Sequence, residues 1–416
     1  MLPGARNPFH ALRHRNFRLF FIGQFISLAG TWMQVVALGW LVLELTDSPF
    51  YVGLVSTLGS LPILLFTLWG GVLADRVHRR HALILFQALM LVDALVLAVL
   101  TATHQVTIGW VMVLAVVHGI SAAFEVPIRQ AFLVELVGTE DLMNAIALNS
   151  SNFNLTRIVG PAIAGAIVAG MGVAPCFFIN AASFVAVIWC LALITDGPPS
   201  PRAAGSARTG FAEGTRYVRE HPVPRALLTL TAVFSIFGFA FVTMLPVFAR
   251  DVLHAGAAGY GGLMTAVGIG ASIGALGMAA IGHRFSRLVI IRAGGLGFAL
   301  ALAAAALATQ LWMAAALLAL AGGAMILNNV STNTQLQTTV PDLLRGRIMG
   351  FYSLMVLGMA PFGSLQAGWV SEHFGVPASL ALGATVTALG TLWLVPRRLL
   401  AGADPTPTAG ARVLRA

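Results

Sequence analysis

Residues 70–83 read GGVLADRVHRRHAL, and the seven positions from Asp75 to His81 hold one acid, three arginines and two histidines. Long apolar runs flank the stretch, in a chain of 416 residues that is 58% hydrophobic and only 9% charged. Such a concentration of charge needs a cause. A mean hydropathy of +0.87 exceeds what one soluble core can bury, so the solvent for much of the chain is lipid. Working outward from 70–83, segments of about 20 residues, the length that crosses the hydrocarbon of a bilayer, fall at 19–43, 51–73, 82–102, 106–125, 146–169, 173–194, 225–248, 258–282, 288–308, 311–331, 347–371 and 376–396. The quoted stretch is the loop between spans two and three. The first apolar run exceeds the roughly 7–15 residues of a signal-peptide core and lacks a small-residue cleavage site, so it reads as a retained span.

The net charge is +9, and all 24 basic residues are arginine. A basic balance can indicate nucleic acid, but position argues otherwise. Of the 24, 22 precede span one or fall in or beside alternate loops and the tail; only Arg250 lies opposite and only Arg157 lies within a span. Arginine bias of this kind orients a chain. It places both termini in the cytoplasm, requires an even number of spans, and fits a multi-pass protein of a bacterial inner membrane with no nucleic-acid partner. Cys176 and Cys190 are 14 positions apart in or beside span six. That spacing suits neither a metal site nor a disulfide framework, and both read as apolar packing.

Residues 196–224 shift to Pro, Ala, Gly, Ser and charge, as a connector does. The expected organisation is an N-terminal six-helix bundle (1–195), a cytoplasmic linker (196–224), a C-terminal six-helix bundle (225–397) and a cytoplasmic tail (398–416). Within the linker, Phe211, Tyr217 and Val218, with Arg216 and Glu220 at i,i+4, read either as a short amphipathic helix on the membrane surface or as a solvated linker. The halves resemble each other: EDLMNA (140–145) and PDLLRG (341–346) each open a span, and Gly160-Pro161 recurs as Ala360-Pro361. Repetition at half the chain length is the pattern of a transporter built from two bundles.

The run Gly71-Val-Leu-Ala-Asp75-Arg76-Val-His78-Arg79-Arg80 resembles the loop 2–3 motif of the major facilitator superfamily, G-x-L-a-D-r-x-G-r-k, with His78 in place of a glycine. EVPIRQAFLVEL (125–136), NAIALNSSNFNLTRIVGPAIAG (144–165) and VPDLLRGRIMGFYSL (340–354) resemble the branch containing enterobactin exporters and macrolide efflux proteins. The resemblance implies an all-α integral membrane protein with twelve transmembrane helices in two pseudo-symmetric six-helix bundles. It also implies a conformational latch from Gly71, Asp75, Arg76, Arg79 and Arg80, in which the aspartate meets the N-terminus of span eleven when the inner side is closed. A carboxylate there gains about 0.3–1 kcal/mol from the helix dipole. Gly71 and Ala74 are expected where two helices approach closely over the turn. In the second half, GMAAIGHRFSR (277–287) has Ile281 where the acid would be, so one latch is expected.

For the substrate path, Gln24, Ser27, Thr31 and Gln34 share one face of span one at i, i+3, i+7 and i+10. They are expected to line a cavity or to glue helices together. His118, Ser121 and Glu125 share a face of span four. His118 reads as a proton-coupling or substrate residue or as a packing histidine, and Glu125 as part of a gate with Arg129. The family's span-four arginine is absent, Ala115 standing there. Asp93 and Arg157 lie inside spans three and five, each about 16 Å from its cytoplasmic entry, and form a buried charge device if the bundle brings them together. Coupling candidates are therefore Asp93, His118, Glu125 and Arg157. Gly160, Pro161 and Gly165 resemble the antiporter motif G-P-x-x-G-G, with Ala164 for its first paired glycine; with Pro361 they are hinge candidates or plain packing kinks. Phe234, Phe237, Phe241, Met244 and Phe248 on span seven, and Tyr352, Met355, Met359 and Phe362 on span eleven, form stripes suited to large apolar solutes or to packing. Asn328 and Asn329 line a vestibule or mark where span ten leaves the bilayer.

These residues point to a secondary active transporter, a proton-coupled exporter of bulky amphipathic compounds of the drug, macrolide or siderophore class. The proton is expected from the resemblance alone. An importer or facilitator of the same fold and a transporter-shaped sensor that does not turn over are the alternatives. GGLGFA (294–299) is no phosphate-binding loop, and no cluster of nucleophile, base or metal ligands is visible. Neither a nucleotide, a metal, a cofactor nor an enzymatic activity is expected; the partners are a small-molecule substrate and the bilayer.

Overall fold

A computed structural model describes residues 9–138, 140–195 and 207–396. Within them twelve helices are long and apolar enough to cross a membrane. The chain is an all-α, multi-pass membrane protein. The first six spans are Arg15–Thr46, Pro49–Ala74, Arg79–Ala102, Ile108–Val137, Leu142–Met171 and Ala174–Ala192. Spans seven to twelve are Pro222–Val252, Gly256–Ile281, Arg287–Ala306, Leu311–Thr339, Asp342–Phe374 and Val376–Leu394. The sequence explains their ends. Proline sits in the first turn of spans two, six, seven and twelve, where its missing N–H costs nothing. Gly138 (φ 67°) and Gly172 (φ 79°) close spans four and five with a conformation that side chains other than glycine rarely adopt.

By contact the chain forms two compact units, Met1–Gly205 with Thr243–Thr265, and Ser206–Val242 with Ala266–Ala416. Residues 243–265 thus pack with the first half, although the sequence assigns them to the second. In the first unit span one packs on spans five and six, span two on span four, and span three on spans four and six. The second unit repeats the plan, with span nine against ten and twelve and span eight against ten through Gly270 and Gly274. At the end of the first unit where loop 2–3 lies, here called the basic end, Phe17, Phe20, Leu83, Ile128, Phe184, Val187 and Leu191 form a fully buried core.

Each unit also carries a short strap before its first span. In the first, a 3-10 turn, His10–Arg13, lies against the start of span five. In the second, the connector helix Ala207–Glu220 lies against the start of span eleven: Glu213 pairs with Arg347, Gly214 seats Phe351, and Tyr217 is buried and stacks on His221. The connector helix therefore packs on protein through Tyr217 rather than lying freely on a membrane surface. Residues 196–206 of the expected linker, residue 397 of the expected second bundle, the expected tail 398–416 and the Phe211 side chain lie outside the described residues.

Two helices break where the sequence bends them. Span seven contains π-helical turns at Phe234–Gly238 and Phe248–Val252, a feature often found at functional positions. Span eleven breaks at Met359, and Pro361 starts its second segment, Ala360–Phe374. Span five, in contrast, runs unbroken through Pro161.

Close packing between spans two and four rests on small residues: a Cβ at Gly119 would overlap the Gly59 carbonyl, and one at Gly70 the Ala123 carbonyl. Gly71, expected at a close approach, faces open space, and a Cβ there would meet nothing within 4 Å; the contact falls one residue earlier, about 100° around the helix. Replacing Gly119 by valine is expected to cost about 1–3 kcal/mol of packing strain and to lower the thermal midpoint of the purified protein, with Gly71→Ala unchanged or slightly raised; size-exclusion profiles after heating measure both.

Candidate functional site

Loop 2–3 is wired into its surroundings. Arg80 donates to the carbonyls of Leu191 (2.8 Å) and Ala192 (2.7 Å) at the end of span six, where the helix leaves its last carbonyls unpaired. Arg79 donates to the Ala74 carbonyl and to Glu135 of span four at 2.5 Å. Arg76 is exposed. Asp75 has Arg79 at 3.9 Å, its side chain 54% exposed. The arginines thus fasten four helices together at the basic end, while the aspartate is left accessible.

A ladder of polar groups climbs the seam between spans three and four from that loop. Arg79 and Glu135 form its first rung. Gln87 donates to Glu125 (3.2 Å), which also accepts from Arg129 (3.0 Å). Six residues deeper on span three, about 9 Å, Asp93 faces His118 of span four at 3.5 Å. The Asp93 side chain is 2% exposed and its Oδ1 has no hydrogen-bond partner. The carboxylate is therefore compensated by one imidazole, and only when that imidazole carries a proton. Asp93 and Arg157, expected to meet if the bundle allowed it, do not: Arg157 donates to Asn154 Oδ1 (3.1 Å) and its Nε is buried without a partner.

Span one places its polar face mainly against span six. Gln34 accepts from Asn180 at 2.6 Å, and Gly30 lets Ser183 and Asn180 approach, so Gln34 joins helices instead of lining a cavity. Thr31 bonds back to the Ser27 carbonyl. Gln24 is buried with Nε2 unpartnered. The aromatic stripe of span seven is also core: Phe234 and Phe241 are buried against Phe298, with ring centroids 5.3 and 6.0 Å away. Phe237 is half-buried.

Tyr352 donates to Asn329 Oδ1 (2.6 Å), and with Phe234, Phe239, Asn328 and Thr332 it encloses a recess with room for little more than one water molecule. Asn328 is held inside by the Ile291 carbonyl, and span ten continues as helix to Thr339. Met355 and Met359 are half-buried on span eleven. A larger space, about 310 Å³, opens at the basic end of the first unit. Its walls are Phe20 of span one, Leu133 and Val134 of span four, and Leu142 and Ile146 of span five, with Arg129, Gln130 and Asn149 as polar edges.

Opposite the basic end, the first unit is closed by groups from 243–265. Arg250 donates to Asp47 (2.5 Å) and to the Leu43 carbonyl (3.3 Å) at the end of span one. Gly261 meets Gly165 and the Pro161 carbonyl, and Gly160 seats Trp32. Of the hinge candidates, Gly160, Pro161 and Gly165 are close-approach points on a helix that runs unbroken. The position of Arg250, alone opposite the other arginines, is the one signal of this closure in the sequence.

Sequence reasoning misses the clamp at the first strap. Asp141, 5% exposed, accepts from His14 Nε2 (2.8 Å), His10 Nδ1 (3.0 Å) and Arg13 Nη2 (3.0 Å), while Asn144 accepts from the Ala11 N–H. The His14 hydrogen bond foremost, then His10 and the Arg13 charge, hold the Asp141 carboxyl at about 2.

Among the described residues no group of histidine, cysteine and carboxylate side chains could hold a metal ion. A family model described as transmembrane secretion effector matches residues 6–407. The chain is 26% identical to the staphyloferrin A transporter of Staphylococcus aureus over 88% of its length and 92% of that protein's. It is 28% identical to the multidrug efflux pump Tap of Mycolicibacterium fortuitum (89% and 93%) and 27% identical to the enterobactin exporter EntS of Shigella flexneri (92% and 92%). Among solved structures, a bacterial homologue of the human lysosomal transporter Spinster, in an inward-facing unoccupied conformation, superposes with a TM-score of 0.76 at 15% identity, covering 97% of this chain and all of that one; this likeness concerns fold.

Since the folded-state value of Asp141 lies below the ordinary carboxylate value of 3.8, the clamp contributes fully above about pH 4 and is lost as pH falls towards 2. Asp141→Asn should release the strap at neutral pH, seen as faster amide exchange at Ala11 with unchanged exchange in the middle of span five.

Proposed function

The chain belongs to the transmembrane secretion effector family of the major facilitator superfamily, and on that footing we propose that it is a proton-coupled exporter of bulky amphipathic compounds, working by alternating access in a bacterial inner membrane. The observation that carries the reading is the groove at the basic end. Its apolar walls, with a guanidinium and two amides at the edge, suit a solute with a greasy body and polar substituents. By the arginine bias the basic end and both termini are cytoplasmic, so the groove collects cargo from inside the cell. The names of two of the relatives, a multidrug efflux pump and an enterobactin exporter, agree with that direction.

Alternating access requires two closures that are not made together. The Arg250–Asp47 pair and the Gly165–Gly261 approach serve as the outer one. The inner one is the latch of Asp75, whose exposed carboxylate here is free to take the N-terminus of span eleven when the inner side shuts. The 6 + 6 organisation, 1–195 and 225–397 with a linker and tail on the cytoplasmic side, supplies the two bodies that rock.

Coupling is assigned to Asp93 and His118. One shared proton leaves the pair neutral; losing it strands a carboxylate in a buried seam, a state the protein reaches only when the pair rearranges. Gln87, Glu125 and Arg129 lie between it and the basic end.

Inverted vesicles energised with a proton gradient should accumulate an amphipathic dye, and a protonophore should abolish the uptake; uptake only by right-side-out vesicles would identify an importer. Asp93→Asn and His118→Gln should each reduce gradient-driven uptake by about tenfold or more while sparing dye counterflow. Asp75→Asn should slow turnover with affinity nearly intact, and unchanged turnover would remove the latch.

A further inference from the structure

Arg157 stands apart from the other arginines of the spans and loops. Arg129 has Glu125, Arg79 has Glu135, Arg250 has Asp47, and Arg80 and Arg292 cap helix-end carbonyls. Arg157, halfway along span five, has among the described residues only the neutral Asn154 as a hydrogen-bond partner, with its Nε buried and unpaired. A guanidinium at membrane depth without a counter-charge is costly, and the cost is tolerated where an anion visits.

The helix surface around it gives the route. Leu142, Ile146, Asn149, Phe153 and Arg157 recur at i, i+4, i+7, i+11 and i+15, one stripe of span five. The first three line the basic-end groove. Phe153 continues the stripe and meets Trp32 edge-on at 5.7 Å. Arg157 follows, about 12 Å beyond Asn149 along the helix axis. The stripe therefore runs from an amphipathic entrance, past an aromatic wall, to an uncompensated cation.

We propose that Arg157 is the anchor for the acidic group of the cargo, which makes the exported class an organic anion: an amphipath bearing a carboxylate, sulfonate or catecholate, its apolar body against Phe20, Ile146 and Phe153. The guanidinium fork takes two oxygens at once. Arg129 at the entrance does not select in this way because Glu125 neutralises it. A cationic amphipath meets repulsion at Arg157, so the site discriminates by charge as well as by shape.

The inference rests on the export reading, and its test is kept separate from it. Full-length protein in nanodiscs is titrated with 8-anilinonaphthalene-1-sulfonate, an anion, and with N-phenyl-1-naphthylamine, its neutral parent, with empty nanodiscs subtracted. Wild type should bind the sulfonate tighter than the amine by on the order of tenfold or more. Arg157→Gln should bring the two affinities level by weakening the sulfonate alone, and Arg157→Lys should keep part of the preference. Unchanged binding of the neutral probe certifies that the variants fold. Equal affinities in wild type, or a preference that survives Arg157→Gln, overturn the anchor. If Arg157→Gln loses the neutral probe too, Arg157→Lys decides, and any preference for the sulfonate that it keeps counts for the anchor while equal affinities count against it. A charge preference without uptake in inverted vesicles removes export and keeps the anchor; uptake without the preference does the reverse.

Discussion

Inside a bilayer a polar group that is not paired within the protein has no water to fall back on, and this constraint organises the chain at every level. Hydroxyls of Thr31, Thr57, Thr101, Thr156, Thr231 and Thr391 all bond back to carbonyls one turn earlier on their own helices. Amides bridge helices: Asn180 to Gln34, Asn152 to the Phe21 carbonyl, Asn328 to the Ile291 carbonyl. Against so thorough a pairing, the groups left over carry information. Asp93 Oδ1 and Arg157 Nε are among the buried atoms left unpartnered; they lie on different helices with different neighbours, and in the proposed mechanism one serves the proton and the other the cargo.

The same rule shapes the basic end. Spans two, four and six end there, and each leaves its last carbonyls without a partner inside the helix. Arg79 and Arg80 reach across to fill that need. On the proposed orientation, the positive-inside bias and the tight loop motif are one device: the charge that orients the chain also locks the helices together.

Much of this was legible in the sequence, because a membrane span is a one-dimensional signal of length and hydropathy, and the loop motif holds its residues at fixed offsets. Contacts were less legible. The close approach falls at Gly70 instead of Gly71, since a single position turns the helix by about 100° and no sequence pattern fixes the rotation of span two against span four. The stripe of Phe234 and Phe241 is real, but periodicity does not say which neighbour it meets, and that neighbour is Phe298. Asp93 and Arg157 looked like partners because both sit at similar depth; depth is shared by every span, and only the packing of span three on span four gives Asp93 to His118. The clamp at Asp141 was invisible because its donors lie about 130 residues earlier, in a segment with no hydrophobic pattern to place it.

The two straps repeat each other with their signs exchanged. In the first half a basic turn closes on an acidic anchor, Asp141; in the second an acidic residue, Glu213, closes on a basic anchor, Arg347. Were the straps to trade places, Arg13 would face Arg347 and Glu213 would face Asp141, like charge against like. The inverted polarity therefore sets each anchor against the charge of the other half's strap and in favour of its own.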